Sequence, residues 1–267
     1  MINNKNNEAK KLSKYYVAYI DILGATEMIE SNKSEEYLRK INNLYQDTIN
    51  MIKSNCQNLF NIKATVKIFS DNILIAIPKI EFFGDSTNDM SSCYILIFSI
   101  FFQILAMYYG ILVRGSITIG DLYIDDIFVY GNALTKAHSL ESNIANYPRI
   151  IINPKVINEF MHSDFQEKII QKDSSNIYYI NPFECYFNEF CSTNKEHYLF
   201  NANEKLQTLL AKNNNDNINQ KVCWFINLFN DFCKKNNHPD YVINIDDYPY
   251  PTKVEKVIYT GKARELV

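Results

Sequence analysis

Residues 66–77, Val66-Lys67-Ile68-Phe69-Ser70-Asp71-Asn72-Ile73-Leu74-Ile75-Ala76-Ile77, spell strand, tight turn and strand in one run. The flanks are β-branched and apolar, and Ser-Asp-Asn between them are turn formers whose short polar side chains bond their own backbone. The pattern predicts paired strands over residues 62–69 and 73–78. Another buried strand is expected over residues 15–21, Tyr15-Tyr16-Val17-Ala18-Tyr19-Ile20-Asp21, with Gly24 permitting a tight exit. If these strands are neighbours, Asp21 and Asp71 meet at one rim of a sheet. Two hard, anionic oxygen ligands so placed suit Mg²⁺ or Mn²⁺, with substrate phosphates completing the coordination. Each aspartate alone is more simply a turn cap at a strand end; it is the pair that points to an enzyme acting on nucleoside triphosphates.

Working outward, a helix is expected from near Ala25, and a long amphipathic one over 34–55, where Tyr37, Ile41, Leu44, Tyr45, Ile49 and Ile52 recur mostly at spacings of three and four. An apolar helix over 91–109 leads to strands at 111–119 and 122–130, a short helix at 132–142 and a strand at 149–152. The order is β-α-β-β-α-β plus an extra hairpin strand. That is the ferredoxin-like unit of the α+β class, an antiparallel sheet with helices on one face. Gly115, Gly120 and Gly131 fall close together, and a glycine within a strand often marks close approach by another backbone or a ligand. Residues 14–155 are expected to form one domain. Residues 156–267 form an extension of looser pattern, with a polar loop at 212–220, a helix over 222–232 and an extended tail.

At 267 residues, 47% of them apolar, the chain can fill a core. Its net charge of -3 offers no general attraction to polyanions, so long nucleic acid is not an expected partner. The six cysteines form no CxxC pair and are expected as reduced, packed thiols. The polar first 14 residues lack an apolar signal core, and cytoplasmic residence is the expectation. Residues 93–113 are long and apolar enough to span a membrane. Gly110 breaks the run, β-branched residues follow it, and no lysine–arginine cluster flanks it. A buried helix running into a core strand is therefore the preferred reading, with no membrane partner.

Four segments carry a family resemblance. Tyr19-Ile20-Asp21-Ile22-Leu23-Gly24, Lys67-Ile68-Phe69-Ser70-Asp71, Val113-Arg114-Gly115-Ser116-Ile117-Thr118-Ile119-Gly120 and Tyr130-Gly131-Asn132-Ala133-Leu134-Thr135-Lys136-Ala137-His138-Ser139-Leu140-Glu141-Ser142 follow one another in the order and spacing of the catalytic domain of class III nucleotidyl cyclases. Within that group the chain most resembles the pyrimidine cyclases of bacterial Pycsar anti-phage systems. The purine cyclases carry an asparagine and an arginine on the helix, where this chain has Thr135 and Ser139. Phe128 stands at the position of their base-selecting aspartate. These departures fit a pocket reshaped for a pyrimidine base; they also fit a nucleotide sensor that has lost turnover.

The resemblance implies cyclisation of UTP, preferred slightly over CTP, to a 3′,5′-cyclic nucleotide and pyrophosphate. The product would be a second messenger read by a separate effector protein. The resemblance also implies two Mn²⁺ or Mg²⁺ ions and a homodimer whose active sites form between subunits. Asp21, Asp71 and the backbone carbonyl of Ile22 would hold the metals. Arg114, in an otherwise apolar strand, needs an acidic partner or a phosphate; it is either a catalytic cation or half of a structural ion pair. Lys67 and Phe69 alternate with Asp71 and would read and stack the base, against the plainer readings of an edge lysine and a core phenylalanine. The turn at Gly24 would cradle phosphate. Thr135 and Ser139 would contact ribose, or are simply helix-surface hydroxyls. Arg149 is a weaker phosphate candidate.

Overall fold

In the computed structural model, β2 (Thr65–Phe69) and β3 (Asn72–Pro78) pair antiparallel with Phe69 opposite Asn72, leaving Ser70 and Asp71 as a two-residue loop. Ser70 has φ 57° and is the only loop residue with positive φ, as a type II′ turn has at its first position. The structure describes residues 10–55, 63–80, 90–191, 193–212 and 216–246. The expected strand start at residue 62, the loop at 81–89, Cys56 and most of the extended tail lie outside the described residues.

The sheet runs β2-β3-β1-β4-β6-β8-β7, with β1 at Ser13–Ile22, β4 at Val113–Ile124, β6 at Ile150–Ile152, β7 at Ile170–Lys172 and β8 at Tyr178–Ile180. Its first four strands are antiparallel in the ferredoxin-like order. β1 alternates cleanly. Tyr16, Ala18, Ile20 and Ile22 face α2 (Ser34–Asn55) and α3 (Met90–Tyr108), while Val17 enters a second core with Leu74, Ala76 and Leu122. α3 is long and apolar enough to cross a membrane by length and composition, and most of it is buried beneath the sheet. Its polar interruptions bond to backbone inside the core, although Gln103 Oε1 is left without a partner. Ser99 Oγ donates to the Ile95 carbonyl at 2.6 Å, and Gln103 Nε2 donates to the Pro148 carbonyl at 2.9 Å.

Three expectations are corrected. First, the helices do not share one face. α4 (Asn132–Ile144) packs on the side opposite α2 and α3, because Ala133 and Ala137 are small enough to lie directly on Val17, Leu74, Ala76 and Leu122. Second, Gly120 does not end a strand. β4 runs through it for 12 residues, and only β5 (Val129–Tyr130) folds back on β4. A Cβ at Gly120 would collide with Asn132 Oδ1 and press on Ala133 at 3.2 Å, so this glycine lets α4 approach. Third, the sheet is mixed, since β6 pairs with β4 in parallel.

Beyond residue 154 the chain is more ordered than its pattern suggests. A 3₁₀ segment at Pro154–Phe160 leads through α5 (Asp164–Ile169) to β7 and β8, which extend the sheet. α6 (Pro182–Cys185), a π-helical turn at Tyr186–Phe190, α7 (Lys195–Lys212) and α8 (Asp216–Lys235) follow. Phe183 lies within 6.5 Å, ring to ring, of Phe187, Phe225, Phe229 and Phe232. Among the described residues, Cys185, Cys191, Cys223 and Cys233 are buried free thiols.

Candidate active site at the sheet rim

Strand register builds a row of side chains on the α4 face. Phe69 lies opposite Asn72, Asn72 opposite Asp21, and Asp21 opposite Arg114. Asp71 sits just beyond this row in the hairpin loop. Its carbonyl accepts from the Ile22 amide at 3.2 Å, and its Oδ1 accepts from Asn72 Nδ2 at 3.2 Å. Asp71 acts electrostatically on Asp21, on Tyr19, and on Tyr37 and Tyr45 of α2. The two aspartates therefore lie at the same end of the sheet, within electrostatic reach of each other. Burial first, and these carboxylates second, push the Tyr37 and Tyr45 hydroxyls far above the usual tyrosine range.

Arg114 joins the cluster as an ion pair. Its Nε and Nη2 donate to Asp21 Oδ2 at 3.2 Å each. Nε also lies 2.8 Å from Glu141 Oε1, a contact of charge only, because the Nε hydrogen is directed at Asp21. The side chains of Asp21, Arg114 and Glu141 are 14%, 25% and 4% exposed. Glu141 Oε2 accepts from Ser142 Oγ at 2.9 Å, whereas Oε1 is buried without a hydrogen bond. Burial and then the Glu141 charge push the Asp21 carboxyl up to about 6, while Arg114 pulls it down. Two carboxylates, those of Asp21 and Glu141, thus share one guanidinium, and Asp71 adds its charge at longer range, so the rim carries excess negative charge whenever all are ionised.

The other expected residues divide into two groups. Lys67 pairs with Leu74 and Phe69 with Asn72, so both lie on the same face as Asp21, two strands and about 10 Å away. Phe69 is 47% exposed rather than packed in the core. Gly24 precedes α1 (Ala25–Ile29) in the left-handed region at φ 77°, with open space where a Cβ would stand. Thr135 and Ser139 do not reach the rim within one chain. Thr135 Oγ1 donates to the Asn132 carbonyl at 3.1 Å, and Ser139 Oγ accepts from Asn143 at 3.2 Å on the outer side of α4. Arg149 is removed as a phosphate candidate. It is buried, bonds Asp173 at 2.7 Å, and sits against the rings of Tyr147, Tyr179 and Trp224.

Glu141 pairs with Arg114, and Tyr19 and Lys221 lie within electrostatic reach of the cluster; none of the three is an expectation of the sequence. Glu141 was findable, because Ala133, Ala137 and Glu141 recur every four residues and share one helical stripe. An arginine in an apolar strand also calls for such a partner. Lys221 has no local signal. Burial chiefly lowers its pKa, the Arg114 charge adds to that, and Glu27 opposes it. Folding alone brings Lys221, near the start of α8, within electrostatic reach of Arg114.

Among the described residues, no three histidine, cysteine, aspartate or glutamate side chains gather as a self-sufficient metal site. The donor chemistry still fits Mg²⁺ or Mn²⁺. Two carboxylates and a strand-end carbonyl at Ile22 are hard oxygen ligands at an electronegative, partly open rim, of the kind that leaves coordination positions to substrate phosphate and water.

No protein-family model and no curated protein matches the chain. Thirty-five chains of solved structures do match. Among them is the catalytic core of a rhodopsin-guanylyl cyclase with converted specificity, in complex with ATPαS. It matches at a TM-score of 0.45 and 14% identity, over 63% of this chain and 95% of that one.

Proposed function

We propose that this protein is a metal-dependent nucleotidyl cyclase acting on a pyrimidine nucleoside triphosphate, UTP ahead of CTP, in the cytoplasm. The observation that carries the reading is the convergence of Asp21 and Asp71 at one electronegative rim, on two of the four segments that resemble class III cyclases. The ribose 3′-oxygen bonds to the α-phosphorus, the bond from that phosphorus to the bridging oxygen breaks, and pyrophosphate leaves as the 3′-hydroxyl proton is released. Bound divalent cations would lower the pKa of the attacking hydroxyl and neutralise the triphosphate. Asp21, Asp71 and the Ile22 carbonyl would hold those cations, and the turn at Gly24 would receive phosphate oxygens. Arg114 contributes through its charge at Asp21. Lys67 and Phe69 lie on the same face at about the distance of a base from its phosphates, where Lys67 donates to a pyrimidine carbonyl and Phe69 packs on the ring.

Thr135 and Ser139 point away from the rim of their own chain, which suits a homodimer in which each subunit offers them to its partner's nucleotide. Ile127, 87% exposed on the neighbouring hairpin, and the exposed Phe128 and Tyr130 give that surface an apolar edge. A cyclic pyrimidine nucleotide would act on a separate effector, in keeping with anti-phage signalling. The test is mass spectrometry of the products from each of the four nucleoside triphosphates with Mn²⁺. A cyclic UMP or CMP peak with matching pyrophosphate is expected, and products from ATP or GTP alone would overturn the pyrimidine assignment.

A second reading, a nucleotide sensor without turnover, is favoured by two features: Arg114 is bonded to Asp21, and the hydroxyls of Thr135 and Ser139 stand where the resemblance has the purine cyclases carry asparagine and arginine. Tight triphosphate binding by calorimetry, with no pyrophosphate released, would decide for it.

A further inference from the structure

Among the described residues, Arg114 is the only cationic side chain within ion-pair distance of Asp21, and it is shared. Both of its bonds to Asp21 measure 3.2 Å, longer than the 2.7–2.9 Å usual for charge-assisted bonds. On its other side, Glu141 Oε1 stands 2.8 Å from Nε, buried and without a hydrogen-bond donor. A small rotation of the guanidinium would transfer a donor from Asp21 to this oxygen. The exchange gives up the long Nε bond to Asp21 and satisfies a buried carboxylate oxygen, so one side chain has two partners within its reach.

We propose that Arg114 is the internal counter-ion of Asp21 in the metal-free protein, and that Glu141 is the positioning residue that takes Arg114 over when a divalent cation arrives. The inference rests on Asp21 and Asp71 being the cation ligands. Two cations on one carboxylate repel each other, so a metal at Asp21 displaces the guanidinium. Without Glu141 the displaced charge would be left unpaired in a largely buried place, and metal binding would bear that cost. With Glu141 it stays paired. The same step ties the position of α4, which carries Glu141, to the state of the metal site.

The test is Mn²⁺ titration of the full chain by calorimetry, as a double-mutant cycle. Asp21→Asn should abolish binding. Arg114→Met removes the competitor and should tighten it. Glu141→Gln should weaken it by about tenfold in the wild-type background and by less than about twofold in the Arg114→Met background, since without Arg114 there is nothing to take over. Simple loss of a nearby negative charge would instead weaken binding equally in both backgrounds, and that result, or an unchanged affinity in Glu141→Gln, overturns the proposal. Should a single variant fail to fold, Arg114→Gln and Glu141→Ala remove the same charges and complete the same cycle. If Asp21→Asn leaves Mn²⁺ binding intact, the rim is not the cation site and the reading beneath the proposal falls. If Asp21→Asn abolishes binding but the cycle is additive, only the handover falls.

Discussion

Asp21 is where burial and cation affinity oppose each other. Its carboxyl is pushed up to about 6 by burial and by Glu141, against an ordinary aspartate value of about 3.9. The folded protein therefore holds this proton more tightly than the unfolded chain. The stability it lends is complete below pH 4 and is lost as pH rises through about 6. In metal-free protein, wild type should lose ground against Asp21→Asn in urea midpoint between pH 4 and 6.5, and Mn²⁺ should restore it at pH 7. A constant difference across that range would remove the burial argument. Both aspartates and Arg114 were legible in the sequence because strand alternation and turn chemistry place residues on a face without knowledge of the rest of the fold. Glu141 escaped because its meaning depends on which side of the sheet its helix covers.

At the scale of elements, the hairpin, the long amphipathic helix and the apolar helix were readable because each follows a single periodicity. β4 was not, because a glycine inside a strand looks the same whether it turns the chain or admits a neighbour. At Gly120 it admits α4, the helix that carries Glu141. Gly120→Ala should therefore act by overpacking and destabilise the protein by about 1–3 kcal/mol in denaturant unfolding. It should also loosen the hold of Glu141 on Arg114, seen as a shift in Mn²⁺ affinity beyond the fold change. Gly115 is also tight, since a Cβ there would lie 2.7 Å from the Tyr19 carbonyl oxygen on β1. The placement of α4 on its own face could not be foreseen from a helix of mixed polarity. It follows from the two alanines finding an apolar patch made by three different strands.

Across the whole molecule, residues past 154 complete the fold by widening the sheet and bringing Lys221 of α8 within electrostatic reach of Arg114. Arg149 couples the two parts. Its amide neighbourhood joins β4, where Gly115 N donates to the Arg149 carbonyl at 3.0 Å, and its guanidinium lies 5.5 Å from the Trp224 ring on α8. Arg149→Ala leaves Asp173 with only its backbone donors at Ser175 and Ile177 and opens the ring cluster, so a loss of about 2–3 kcal/mol is expected by chemical denaturation. A loss under 1 kcal/mol would mean that the two parts hold together without it. None of this was visible in the sequence, because aromatic residues spread from Tyr147 to Trp224 acquire a common role only after long-range packing.

The central claim, that Asp21 and Asp71 together hold the cations of a cyclising site, is tested most directly by pyrophosphate release from UTP and CTP with Mn²⁺. Wild type should turn over at least one of them, and Asp21→Ala and Asp71→Ala should each abolish release while keeping a cooperative melt. Undiminished release in both folded variants would contradict it.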